Sequence, residues 1–254
     1  MLVDAHAHLD LLQGSPLLRS ALDSNEFSII VSNSVDESSS KNNVELARNE
    51  PSVRAFVGIH PEIFASPRAD GISENEIRRS VDQVANMFPI ASGIGEIGLD
   101  RKYGSFDLQI QLFRMLLEAA ERTKLPLTIH SRETVSEINE MMTTYSLHGN
   151  VLFHWFAGSE AELERLQDLS CYVSFGPSLI FSKRLSLLFL KSDLDLTLPE
   201  TDCPTPFRSL IDGPSNSFLV SSVIFKMAQV RRRNFKEMRI ILETNASDFL
   251  RTQN

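Results

Sequence analysis

Short apolar runs that end in a polar or histidine residue recur along the whole chain. Eight such runs are candidate strands, and they lie at residues 2–8, 27–33, 53–60, 90–96, 125–130, 150–154, 171–175 and 194–202. Their ends are 21 to 36 residues apart, which leaves room for one helix and two loops in every interval. The pattern therefore predicts a repeated strand–helix unit.

The segments between these runs show the spacing of amphipathic helices. Residues 107–123 repeat leucine and methionine every three to four positions. Ser159 and Glu162 form a capping-box pattern before another apolar repeat, and further helices are predicted near 217–231 and 235–241. The segments predicted to be loops or tails are 32–40 and 245–250.

Eight strand–helix units in 254 residues, with no Pro-, Ser- or Gly-rich linker, predict one α/β domain over residues 1–254. Two architectures accommodate such units, a closed (β/α)8 TIM barrel and a doubly wound open sheet. The unusual polar residues fall at the carboxyl ends of many different strands. Those ends converge on one mouth in a closed barrel but spread along an edge in an open sheet, so the pattern favours the barrel.

The overall charge is negative, because 25 Lys and Arg stand against 33 Asp and Glu, a net charge of −8. This balance argues against a broad basic surface for nucleic acid, but it permits a substrate with a few phosphates. Two cysteines are too few for a disulfide framework. The sequence shows neither a secretory signal nor an apolar run of the roughly 18 residues that span a bilayer. We therefore expect a cytoplasmic protein without a membrane partner.

Four histidines lie at the ends of predicted strands. Residues two apart on a strand point to the same face, so His6 and His8 are expected to project together into the barrel. His130 and His154 each close an apolar run. Taken singly, each is better explained as an ordinary core or rim histidine. Their shared placement on three strands indicates a cluster, and neutral imidazoles suit Zn, Mn or Fe.

Two carboxylates complete the set. Glu96 follows an apolar run, and Asp202 follows the last predicted strand, where it could also serve as a helix N-cap or turn residue. A buried ionised carboxylate is costly unless it is paired or bound to metal. Four histidines and two carboxylates suit two divalent cations, Zn, Mg or Mn, about 3.5–4 Å apart, with Glu96 or a hydroxide between them.

Residues 93–98, Gly-Ile-Gly-Glu-Ile-Gly, match the glycine fingerprint of dinucleotide sites. That fingerprint requires a helix immediately afterwards, to hold the pyrophosphate. Here the loop-like Leu-Asp-Arg-Lys-Tyr-Gly follows, and a carboxylate inside the turn would repel phosphate. We therefore assign Gly93 and Gly95 to tight packing around Glu96 and do not expect a nucleotide cofactor.

Six motifs follow one another between residues 3 and 204. They are Val-Asp-Ala-His-Ala-His-Leu-Asp, Gly-Ile-His-Pro, Gly-Glu-Ile-Gly-Leu-Asp, Ile-His-Ser-Arg-Glu, Phe-His-Trp-Phe-Ala-Gly and Glu-Thr-Asp-Cys-Pro. In this order they resemble the TatD family of metal-dependent hydrolases, within the amidohydrolase-like barrel superfamily. The resemblance implies a TIM barrel of the metal-dependent hydrolase type and a divalent-metal deoxyribonuclease that hydrolyses phosphodiesters. The metal ligands that it implies are His6, His8, Glu96, His130, His154 and Asp202.

The sequence departs from that family's pattern in two places. Many members carry an Arg-Gly-Lys-x-Asn-x-Pro stretch after the last strand, whereas residues 207–217 lack this basic cluster. Many also end in Asn-x-x-x-Leu-Phe, which residues 245–250 match only in part. The ligand set is untouched, so the departures bear on phosphate binding and on the choice of substrate.

Four further residues near the predicted strand ends are candidates for binding substrate or supporting a ligand. His60 is expected to hydrogen-bond substrate or a ligand, or to pack in its loop. Arg132 can hold a phosphate with its planar fork or be a surface charge. Asp100 can orient a ligand or belong to a turn, and Glu200, inward like Asp202, is expected to support a ligand.

The main hypothesis is a two-metal hydrolase whose catalytic residues are Glu96 and Asp202. A metal-activated water would attack the phosphodiester, with Asp202 as general base. The expected partners are DNA, at strand ends or single strands, or small phosphodiesters, with no obligatory protein partner. Trp155 and Phe156 follow a predicted ligand and can stack a base or simply pack. The alternatives are an esterase or amidohydrolase, for example on an aminoacyl ester of tRNA, and a non-catalytic metal-bound scaffold.

Overall fold

A computed structural model describes residues 1–65, 71–147, 149–207 and 213–251. Within them, eight strands form one parallel sheet in which each strand pairs with the next along the chain. The strands are β1 (Leu2–Ala7), β2 (Phe27–Ser32), β3 (Val53–Val57), β4 (Gly93–Asp100), β5 (Leu127–Arg132), β6 (Val151–Phe153), β7 (Tyr172–Phe175) and β8 (Thr197–Pro199).

Nine α-helices lie among the described residues, in the intervals between strands and after β8. They are α1 (Pro16–Asp23), α2 (Glu37–Asn49), α3 (Glu74–Ala85), α4 (Phe106–Ala120), α5 (Val135–Met142), α6 (Glu160–Asp168), α7 (Lys183–Lys191), α8 (Val220–Val230) and α9 (Phe235–Phe249). In the described part of the chain, none of them is long and apolar enough to cross a membrane.

The segment that follows β8 closes the sheet against β1. The Asp202 N–H donates to the His6 carbonyl at 2.8 Å, and the His8 N–H donates to the Cys203 carbonyl at 2.7 Å. These bonds join the two ends of the sheet, and the predicted (β/α)8 TIM barrel is confirmed. That residues 1–254 form a single domain stays a prediction.

All eight predicted strands are present, and their bounds differ most from the predicted ones at β4 and β8. β4 continues past Glu96 because Ile97 and Leu99 keep the strand fully buried. Glu96 therefore projects from the middle of a strand rather than from its end. β8 is short and ends at Pro199, so Asp202 lies in the closing segment beyond it.

The helix predictions were less accurate at the segment ends. The capping box of Ser159 and Glu162 is confirmed at the start of α6. The loop predicted for residues 32–40 is wrong in its second half, because Asp36 caps α2 from residue 37 onward. The tail predicted for 245–250 is also wrong, since α9 continues to Phe249.

Phe249 fills the amino-terminal end of the barrel. Its ring lies 6.0 Å from Phe56 on β3 and 5.4 Å from Tyr172 on β7, measured between centroids. These rings pack with apolar side chains of other strands, such as Val3 and Leu198, in a small interior cluster. A larger apolar cluster joins the strands to the surrounding helices. With the amino-terminal end filled, the open end is the carboxyl mouth.

Candidate active site

Six side chains meet at this mouth, and we call them the central cluster. Their Nε2, Nδ1 and carboxylate atoms approach one another within 2.7–3.5 Å. The members are His6, His8, Glu96, His130, His154 and Asp202. The structure thus brings together every residue predicted to be a metal ligand.

Glu96 lies at the middle of the central cluster, with 2% of its surface exposed. Its Oε2 is 3.3 Å from His6 Nε2 and 3.4 Å from His8 Nε2. Its Oε1 is 2.7 Å from both His130 Nδ1 and His154 Nε2. The two carboxylate oxygens therefore face two separate pairs of imidazoles.

The local chain path around Glu96 depends on glycine. A Cβ on Gly95 would lie 2.7 Å from Asn33 Oδ1, and one on Gly93 would lie 2.2 Å from the Phe56 ring. Both contacts are shorter than real Cβ atoms show, so only glycine fits. The packing role predicted for these glycines is confirmed.

His6, His8 and Asp202 form the first half of the central cluster. The two Nε2 atoms are 3.2 Å apart, and Asp202 Oδ1 lies 3.5 Å from His6 Nε2 and 3.2 Å from His8 Nε2. His8 Nδ1 donates to the Asn33 carbonyl at 3.1 Å. A neutral His8 therefore presents the lone pair of Nε2 to the cluster.

His130 and His154 form the second half, and each has a carboxylate behind it. His130 Nε2 donates to Asp100 Oδ2 at 2.8 Å, and Asp100 is fixed in turn by the Lys102 N–H at 2.7 Å. Glu200 Oε1 lies 3.8 Å from His154 Nδ1, beyond hydrogen-bond distance. The structure thus places Asp100 and Glu200 behind these imidazoles, with a direct hydrogen bond only from Asp100.

His60 also reaches the central cluster, where it acts as a donor. Its Nδ1 accepts the Glu62 N–H at 3.0 Å, so the proton of a neutral ring sits on Nε2. That Nε2 is 3.4 Å from Glu96 Oε1. In this tautomer His60 supports Glu96 and has no lone pair directed at the cluster.

Asp4 is a fully buried carboxyl group on β1 for which the sequence pattern predicted no role. It accepts the Thr201 N–H at 2.9 Å and the Thr201 hydroxyl at 2.6 Å. Burial raises the pKa of Asp4 to about 7. Its position two residues before His6, on the same strand, was the only signal in the sequence. Asp4 anchors the closing segment that carries Asp202.

The charges of the central cluster are strongly coupled. Burial works to raise the pKa of Glu96, but the surrounding histidines, His154 foremost, outweigh it and hold that pKa well below its ordinary value. Burial works to lower the pKa of His154, but Glu96 and Glu200 outweigh it and hold that pKa well above its ordinary value. Without another cation, protonated histidines must therefore balance the negative charge of the carboxylates.

This donor set fits divalent cations. When the rings are neutral, the outward hydrogen bonds of His8 and His130 leave their inward nitrogens as lone pairs. Imidazole nitrogens and carboxylate oxygens in this combination are ligands for zinc and for other divalent metals. A bound cation can take the place of the protons that otherwise lie between the imidazole nitrogens and the carboxylate oxygens.

A cleft of about 730 Å³ opens beside the second half of the central cluster. Its lining includes three members of the central cluster, His130, His154 and Asp202. Arg132, exposed at the end of β5, lines the cleft and is not part of the central cluster. The remaining lining includes Trp155 and Arg184. Residues 208–212, part of the stretch that lacks the family's basic cluster, lie outside the described residues.

Comparison with known proteins agrees with this geometry. The sequence matches the family described as TatD related DNase over residues 3–251. It is 26% identical to an uncharacterized metal-dependent hydrolase, YabD of Bacillus subtilis, over 99% of both chains. It is 28% identical to deoxyribonuclease Tat-D of Schizosaccharomyces pombe, over 63% of this chain and 54% of that protein.

Among solved structures, YjjV of Escherichia coli, a TatD homolog, superposes with a TM-score of 0.85. The identity is 23%, and the match covers 98% of this chain and 97% of that one, which supports the fold. The family match extends over nearly the whole chain, and the protein therefore belongs to the TatD related DNase family of metal-dependent hydrolases.

Proposed function

We propose that the protein hydrolyses phosphodiester bonds at DNA strand ends or in small phosphodiesters, with two divalent cations held by the central cluster. The main support is the position of Glu96, whose two carboxylate oxygens face two different pairs of imidazoles. A carboxylate that faces two nitrogen pairs suits two cations that share one ligand. The name deoxyribonuclease on the Schizosaccharomyces pombe relative supports the choice of DNA.

The proposed metals are Zn or Mn in preference to Mg, because the central cluster offers four imidazoles and Mg prefers oxygen ligands. Bound cations would supply Lewis acidity toward the phosphoryl oxygens and would lower the pKa of a water molecule. His6, His8 and Asp202 are proposed to hold one cation, His130 and His154 the other, and Glu96 both.

Asp202 is the proposed general base. Its side chain is 19% exposed, whereas that of Glu96 is 3% exposed. Asp202 also lines the cleft, and its Oδ2 accepts the Thr205 hydroxyl at 3.1 Å. A carboxylate held in this way can take the proton of a water that approaches from the cleft.

Arg132 is proposed to hold the phosphate of the substrate. It lines the cleft beside His130, and a guanidinium binds phosphate with two parallel N–H bonds. The net charge of −8 and the volume of the cleft favour a strand end or a small phosphodiester over a long duplex. We further propose a cytoplasmic location, consistent with two cysteines that are both free.

Linear and circular single-stranded DNA of the same sequence test this proposal. The metal-stripped protein is supplied in turn with Zn, Mn and Mg, and an aminoacyl ester is assayed beside the DNA. We expect hydrolysis of the linear strand from an end and little of the circle. Hydrolysis of neither DNA with any metal, or faster cleavage of the ester, would overturn the proposed function.

A further inference from the structure

Trp155 stands where the cleft meets the central cluster. It directly follows His154, and its side chain lines the cleft. The next residue, Phe156, is only 2% exposed and packs into the apolar core. The two aromatic residues that the sequence left equivalent are therefore different, and only Trp155 is available to a substrate.

The backbone places the indole in this position. Trp155 has φ of +47°, a left-handed conformation that bulky residues seldom adopt. Its N–H donates to the Ser174 hydroxyl at 3.1 Å, and the Phe156 N–H donates to the Ser174 carbonyl at 2.9 Å. Backbone strain of this kind is concentrated at functional sites, and here it separates Trp155 from the core.

The indole is also supported on one side by a second ring. Trp155 and Phe207 are stacked with an interplanar angle of 9° and centroids 5.4 Å apart. Phe207 comes from the chain beyond β8, so the pair joins two loops of the mouth. The result is a pair of stacked rings beside the central cluster.

Positive charge lies next to these rings. Arg184 is fixed by hydrogen bonds to the carbonyls of Ala157 at 2.9 Å and Gly158 at 3.0 Å, and it lines the same cleft together with Arg132. Two carboxylates line the cleft as well, Glu133 and Glu162, and Glu162 is bound to the Ser159 N–H and hydroxyl. One cleft thus combines an aromatic plane, two guanidinium groups and the predicted metal ligands. A nucleotide unit has the matching parts, a planar base and an anionic phosphate.

We infer that Trp155 is a specificity-determining residue that stacks the nucleobase adjacent to the phosphodiester that is cleaved. Every base has a π-face, so this contact selects for the presence of a base without selecting its identity. The inference rests on the proposed function and deepens it, because it makes the substrate a nucleic-acid end instead of any phosphodiester.

Trp155 is the only tryptophan in the chain, so its fluorescence reports on this position alone. A deoxynucleoside monophosphate is titrated into the metal-free protein and compared with deoxyribose phosphate, which lacks the base. We expect saturable quenching by the nucleotide and none by the sugar phosphate. Equal responses to both, or none to either, would overturn the inference.

Turnover gives the second readout. A dinucleotide and its abasic counterpart are compared with wild type, Trp155→Ala and Trp155→Phe, with Phe225→Ala as control, since Phe225 is exposed on α8 outside the cleft. We expect wild type and the control to prefer the base-bearing substrate by roughly tenfold in kcat/KM. The preference should fall to near one in Trp155→Ala and be partly kept in Trp155→Phe.

The outcomes separate the two proposals. An equal loss of kcat/KM on both substrates in Trp155→Ala would assign Trp155 a structural role, and no preference for the base-bearing substrate in wild type would mean that no base is stacked. Either result would overturn the inference and leave the phosphodiesterase proposal standing. Base-dependent quenching without hydrolysis of any phosphodiester would overturn the proposed function while supporting the aromatic subsite.

Discussion

Asp100 lies directly behind His130, with its Oδ2 2.8 Å from Nε2 of the imidazole. Because a carboxylate can only accept here, it fixes the tautomer whose Nδ1 lone pair points at the central cluster. Asp100 is itself held by the Lys102 N–H and by the side chain of Gln109, which accepts the Asp100 N–H at 2.9 Å. The end of β4 thus sets the orientation of a predicted ligand on β5.

Asp100→Asn is therefore expected to weaken metal binding. The amide can donate to Nε2 and stabilise the wrong tautomer, and loss of such a partner typically costs about 10- to 100-fold in metal affinity. Calorimetric titration of Zn or Mn into the metal-free variant measures the change. Asp107→Asn, at an exposed position in the first turn of α4, should bind as wild type does. An unchanged affinity in Asp100→Asn would contradict the orienting role.

Asp202→Asn should leave the fold intact and remove most of the turnover. The amide keeps an oxygen for the Thr205 hydroxyl but cannot take a proton from water. General-base catalysis contributes about 10²–10⁴-fold, so kcat on a phosphodiester should fall by about that factor. Circular dichroism and thermal unfolding check the fold, and the exposed Asp82→Asn on α3 is the surface control. Turnover retained at the wild-type level would show that another group acts as the base.

Metal binding should release protons and weaken as the pH falls. Burial alone would lower the pKa of His8, but the hydrogen bonds that its ring donates to Asp202 and Glu96 hold that pKa well above its ordinary value. The pKa of His154 is also raised well above its ordinary value. These rings therefore carry protons near neutral pH in the metal-free protein, and a cation must displace them.

Calorimetry in buffers of different ionisation enthalpy counts the protons released. The apparent metal affinity should rise with pH until the histidines are neutral, and chelation should lower the Tm because bound metal stabilises the native state. A metal affinity that does not change between acidic and neutral pH would contradict the arrangement of protons inferred for the central cluster.

Much of this molecule could be predicted from its sequence, because each strand is a local apolar run and parallel strands must bring their carboxyl ends together. His130 and His154 were found in that way. The tautomers of His60 and His130 could not be predicted, because they depend on the neighbours Glu62 and Asp100. These contacts exist only once the barrel has closed.

The role of Asp4 could not be predicted either, because it also depends on a distant contact. Its partner Thr201 is 197 positions away in the chain, and the two meet only where the closing segment reaches β1. The local pattern shows that Asp4 is a polar residue that points inward, but it does not show which group donates hydrogen bonds to its carboxylate. Glu96 was placed at a strand end for a related reason, since the burial of Ile97 and Leu99 depends on the helices that cover β4.

Asp4 should make the protein less stable as the pH rises. Its pKa is raised by burial from 3.8 to about 7 in the folded state. The stabilisation from the protonated form is complete below the unfolded pKa and is lost as the pH rises through the folded pKa. A shift of about three pKa units corresponds to about 4 kcal/mol in the free energy of unfolding.

Asp4→Asn remains neutral and can still accept the Thr201 N–H. Denaturant unfolding of the metal-free proteins between about pH 4 and pH 8 should therefore show a smaller loss of stability in the variant than in wild type. An equal loss in both proteins would mean that Asp4 does not titrate in this range.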